Sequence, residues 1–129
     1  MVDSALATTL LWCSTDDNGE PLERNHDHSA LWAEDRAKLK EQFYLWNEAA
    51  NDSMIAHGLG HLSLEGLLGD RTEHLYILAR EGHGVSMTDG WRPTTREHKC
   101  CAHLQRLAKA QGEINPYVGD DGRVYLYGM

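Results

Sequence analysis

Residues 75–91 read LYILAREGHGVSMTDGW, two runs rich in branched and aromatic residues on either side of Glu81-Gly82-His83-Gly84. Glycine at two of those four positions frees the backbone to reverse direction. The stretch is therefore read as a β-hairpin of 75–80 against 85–91. With Arg80 opposite Val85, alternation along each strand groups His74, Tyr76, Leu78 and Arg80 with Val85, Met87, Asp89 and Trp91 on one face. A slip of one residue would scatter that set. A histidine and an aspartate across one hairpin can orient a proton transfer, and an arginine can hold an anion. His74, Arg80 and Asp89, with His83 at the turn, are thus the candidate catalytic residues; the alternative is pairing that only secures the hairpin.

Working outward, residues 6–15 (LATTLLWCST) mix β-branched and apolar residues and run into Asp16-Asp17-Asn18-Gly19, which reads as a strand followed by a tight turn. ERNHDHS is a polar loop. From Ser29 as a cap, Trp32, Leu39, Phe43, Trp46 and Ala50 recur at spacings of seven, four, three and four, the stripe of a helix of about five turns. Glu34, Asp35, Lys38, Lys40, Glu41 and Glu48 lie largely off that stripe. Four glycines break residues 51–72, where one or two short helices starting at Ser53 and Ser63 are expected. Pro93, Thr94 and Glu97 open a second long helix that buries Cys100, Cys101, Leu104, Leu107 and Ala108 and ends at Gly112. A basic stripe of Arg96, Lys99, His103 and Arg106 runs beside it. Ile114 to Val118 and Arg123 to Tyr127, around Gly119-Asp120-Asp121-Gly122, form a second hairpin. The expected fold is one α+β domain over 1–129. It has an antiparallel sheet of about five strands, from the N-terminal strand and the two hairpins, covered by two main helices and one or two short ones.

A chain of 129 residues with 41% hydrophobic and 25% charged residues can build a core without covalent staples. MVDSALATTL has neither a basic n-region nor an apolar core with a cleavage site, so the chain is expected to stay in the compartment where it is made, away from membranes. Three cysteines, two of them adjacent, suggest reduced thiols rather than a disulfide framework. The net charge is −8, and residues 1–52 hold eleven acidic side chains against four basic, while 53–129 hold nine against eight. An acidic surface of this kind repels nucleic acid and suits a basic protein partner. Asp16, Asp17, Glu34, Asp35 and Glu41 are the candidate binding residues.

Other chemistry is poorly supported. His57 and His61 have the spacing of two ligands on one helical face, but Gly58 and Gly60 weaken the helix that would hold them. His98, Cys100, Cys101 and His103 lack a paired zinc signature. No metal and no cofactor is expected. The glycine-rich pieces form neither a phosphate loop nor a calcium loop. The stripe from Arg96 to Arg106, with four tryptophans, leaves open a single-strand nucleic-acid binder, set against the acidic charge.

LLWCSTDDNGEPLERNHD, HLYILAREGHGVSMTDGW and YVGDDGRVYL together resemble a small, uncharacterised protein family widespread in bacteriophage and prophage genomes. Its members carry a Trp-Ser-Ser-Thr-Asp-Asp start, a GHDFWLTRNGHGAGFWDRG-like centre and a YVGDDG end. The matching positions are Trp12, Ser14, Thr15, Asp16, Asp17, Gly19, Pro21 and Leu22; His74, Leu78, Arg80, Gly82, His83, Gly84 and Asp89; and Tyr117, Val118, Gly119, Asp120, Asp121 and Gly122. Met87, Thr88 and Gly90-Trp91 depart from the pattern. The resemblance implies a phage origin and action in the host cytoplasm; an acidic, compact phage protein without a catalytic set is read most simply as a non-enzymatic accessory factor. Such a factor binds a host or phage protein, inhibition of a host defence system being one form of this, and homo-oligomers are compatible with it. The alternative is a small enzyme or ligand binder built on the His74, Arg80 and Asp89 face.

Overall fold

The computed structural model describes residues 2–14, 20–24, 26, 28–82 and 86–127. Five helices and one hairpin make up its regular elements. Helix α1 spans Val2–Trp12, α2 Ala33–Ala56, α3 Leu64–Leu68, α4 Thr72–Glu81 and α5 Arg96–Ala110. Strands β1 (Asn115–Val118) and β2 (Val124–Tyr127) pair antiparallel, with Tyr117 opposite Tyr125 and Val118 opposite Val124. The sheet expected from the sequence is therefore corrected: it has two strands among the described residues, not five.

Two segments account for the difference. In residues 6–15 the buried side chains are Leu6, Ala7, Thr9, Leu10 and Leu11, which fall on one side of a helix at three to four residues per turn. The threonines suggest a strand, but this spacing and the leucine and alanine content favour α1. The first predicted hairpin fails for a different reason. Residues 75–80 are all buried, because α4 has α1 on one side and α5 on another. An element buried all round shows no polar alternation, so a short apolar run reads equally as strand or helix. Gly82 adopts φ +72 and closes α4 as a left-handed cap; it ends a helix instead of turning a hairpin.

Helix α2 is longer than the sequence suggested. It starts after Trp32, which supplies no side-chain cap, and absorbs Ser53. Ser29 instead lies in a short 3₁₀ turn, His28–Ala30. Ser63 caps α3 as expected, accepting from the Gly66 amide, and Thr95 rather than Thr94 caps α5, accepting from His98 N.

The helices form a ring in which α1 packs on α4, α4 on α5, α5 on α2 and α2 on α1. Phe43 and Trp46 of α2 meet Tyr76 of α4 inside it, with ring centroids 5.2 and 5.1 Å away. Trp46 also donates its indole N–H to Leu104 O on α5 at 3.0 Å. The hairpin docks at the start of α2: Trp32 N donates to Val124 O, and Leu126 N donates to Asp35 Oδ2 at 2.9 Å. Gly119 opens its turn with no room for a side chain, since a Cβ there would stand 2.6 Å from the Tyr125 ring.

Candidate functional site

The residues grouped as a catalytic face in the sequence are dispersed. His74 and Arg80 sit six residues apart on α4, about 120° from each other around its axis. His74 shares a hydrogen bond with Thr9 of α1 at 3.1 Å and packs at a tilt against Trp12, ring centroids 5.5 Å apart. Burial, then the nearby Arg71 charge, lowers its pKa below the usual histidine value. Asp89 is exposed and accepts from Ser86 N at 3.1 Å, capping a local turn. His83 lies outside the described residues.

Arg80 is only 3% exposed. Its Nε donates to Gly112 O at 2.8 Å, its Nη2 to Gln111 O at 3.1 Å and its Nη1 to Gln42 Oε1 at 2.5 Å and Tyr76 Oη at 3.1 Å. Tyr76 in turn donates to Gln111 Oε1, and Gln111 Nε2 donates to Gln42 O. This closed network ties α4 to α2 and to the C-terminal end of α5, whose partial negative charge suits a guanidinium. All three guanidinium nitrogens, which would have held an anion, are engaged inside the fold.

A second polar cluster went unseen in the sequence. Ser53, buried in α2, lies 2.6 Å from His103 Nδ1 of α5, and its carbonyl accepts from His57 Nδ1 at 2.8 Å. The i, i+4 spacing of Ser53 and His57 was the available signal, but no periodicity reveals that His103 crosses to meet them. His61, paired with His57 on paper, is exposed beyond the end of α2. The basic stripe loses His103 to this inward contact. Burial pushes the Cys13 thiol up to about 11 and, with Cys100 and Glu97 adding, that of Cys101 to about 12. These cysteines are poor nucleophiles at neutral pH. Among the described residues no three His, Cys, Asp or Glu side chains gather around a common point.

The outer face of α2 is different in kind. Glu34, Lys38, Glu41, Leu45, Glu48, Asp52 and Ile55 recur at alternating spacings of four and three, and all are exposed, so they form one stripe along a helix of about 36 Å. Leu45 is 56% and Ile55 67% exposed, with Tyr44 beside them at 44%. Ala37, Lys40, Glu41, Tyr44, Leu45 and Glu48 line an open groove of about 350 Å³ there. Of the acidic residues singled out in the sequence, Glu34 and Glu41 lie on this stripe. Asp35 does not: it is buried and holds the Leu126 amide. Asp16 and Asp17 lie outside the described residues.

No family model, curated protein or solved structure matches the chain. Among the described residues, no helix is long and apolar enough to cross a membrane.

Proposed function

We propose that the chain is a non-enzymatic phage or prophage accessory protein that binds a host or phage protein in the host cytoplasm through the exposed stripe of α2. The observation that carries this reading is the combination, on one helix face, of the apolar side chains Tyr44, Leu45 and Ile55 with the acidic residues Glu34, Glu41, Glu48 and Asp52. Exposed apolar groups rimmed by charge are what a recognition surface requires. The complementary partner presents a basic surface with an apolar pocket for Leu45, and carboxylates spaced along a rod can stand in for the phosphates of a nucleic acid toward such a protein. Blocking a nucleic-acid-directed defence enzyme is the form of binding that fits best. In contrast, Arg80 and Tyr76 are tied into a network within the fold, and His74 and Asp89 are held apart on separate local partners, Thr9 and Ser86.

The test is capture of bacterial proteins by the immobilised full chain, compared with Leu45→Asp and with Glu41→Lys/Glu48→Lys. A specific partner is expected to be retained by the unmodified chain and weakened about tenfold or more by either variant. Equal retention by all three, with the variants folded, overturns the reading.

A further inference from the structure

We infer that the cavity between the start of α2 and the C-terminal hairpin binds a mononucleotide, its phosphate held by Arg36 and Arg123 and its base laid against Trp32. The two arginines come together because the chain pairs there: Leu31 forms a parallel bridge with Val124, and Trp32 N donates to Val124 O at 2.8 Å. Arg123 and Tyr125 flank buried Val124, so alternation turns both to the opposite face. Trp32 joins that face, its ring centroid 5.3 Å from that of Tyr125, and Tyr117 stacks on Tyr125 at 5.7 Å. Arg36 follows Trp32 by four residues, one turn along α2 and on the same side. Ala30, Leu31, Trp32, Arg36 and Arg123 thereby border one cavity of about 250 Å³.

The lining selects an anion. It holds two guanidinium groups and no carboxylate, in a chain of net charge −8. Arg36 is half-buried, and its guanidinium has no hydrogen-bond or ion-pair partner among the described residues. Arg123 has Asp121 beside it, but that carboxylate is already engaged: Oδ1 accepts from Arg123 N at 3.0 Å and Oδ2 from Tyr125 Oη at 2.6 Å. Its 4.0 Å separation from Arg123 Nε is too long for a hydrogen bond. In Arg80 the same fork is consumed by the fold; here two forks are left for the oxygens of a phosphate, which accepts several charge-assisted bonds at once. The rest of the wall is apolar, and a planar base can stack on the Trp32 indole while its phosphate stays with the arginines. The volume is at the small end of ligand sites and suits one nucleotide, not a strand. Arg36 stands about 180° around α2 from Leu45, so this site is separate from the stripe proposed to bind a protein.

The experiment is calorimetric titration of the full chain at low salt with adenosine monophosphate, and in parallel with ribose 5-phosphate, which keeps the sugar and phosphate and lacks the base. One adenosine monophosphate per chain is expected, with ribose 5-phosphate at least about tenfold weaker because the ring contact is lost. Arg36→Gln and Arg123→Gln are each expected to weaken the nucleotide about tenfold or more. Leu45→Asp, on the opposite side of α2, and Arg106→Gln, on α5, are expected to leave it unchanged. No binding at roughly millimolar nucleotide, equal affinity for the two ligands, or binding that survives Arg36→Gln and Arg123→Gln together overturns the site, as does loss through Arg106→Gln. Should the arginine variants not fold, the comparison of the two ligands on the unmodified chain decides.

Discussion

Arg80 has the chemistry of an anion holder and the surroundings of a structural pin. Its guanidinium reaches Gln111 O and Gly112 O, Gln42 Oε1 and Tyr76 Oη at once, with its Cζ 5.8 Å from the centre of the Tyr76 ring. Replacing it by methionine leaves these oxygens buried without their donor. Arg80→Met is expected to cost about 2–4 kcal/mol in urea unfolding, and Arg80→Lys to recover little of it, because an ammonium cannot reproduce the fork. His74 makes a pH prediction. Its folded pKa is lowered from 6.5, so below that value the unfolded chain binds the proton more readily. The His74 contribution is fully present above 6.5 and is lost as the pH falls through the folded value. His74→Gln, which keeps a group able to bond Thr9, is expected to flatten this acid limb in thermal unfolding followed against pH. An unchanged limb would assign it to other histidines.

At the scale of elements, α2, α3, α5 and the second hairpin were legible, and α1 and α4 were not. The stripe from Leu39 to Ala50 has a polar opposite side, and the turn from Gly119 to Gly122 needs its glycines, Gly122 having φ +81. Both signals are local. Helix α4 lies between α1 and α5, and its burial on all sides depends on partners far away in sequence, which no window over 75–91 contains. Gly82 shows the difference most clearly. Glycine there was read as a hairpin turn, and it is in fact the left-handed end of a helix with nothing within 4 Å of a Cβ. Gly82→Ala is therefore expected to cost about 1 kcal/mol through backbone strain alone, with the helical far-UV signal retained. Loss of that signal with no change elsewhere in the fold would contradict the cap.

Across the whole molecule, charge and polar chemistry are segregated. The candidate site residues read from the sequence divide between the interior and the surface. Arg80 and Asp35 serve packing, while Glu34 and Glu41 stand on the long outer face of α2 with Leu45 and Ile55. The net charge of −8 indicated an acidic surface, but only the direction of α2 shows that its carboxylates line up with exposed apolar groups. Association through such a stripe is expected to slow as salt is added, because the rim charges steer the encounter. The central claim, that this stripe is the working surface, is tested most directly by photo-crosslinking in bacterial cells with the reactive side chain placed in turn at positions 45, 55 and 109 of the full chain. The account predicts one and the same covalent partner from 45 and 55, and none from 109 on α5. Equal capture from all three positions, or from 109 alone, would contradict it.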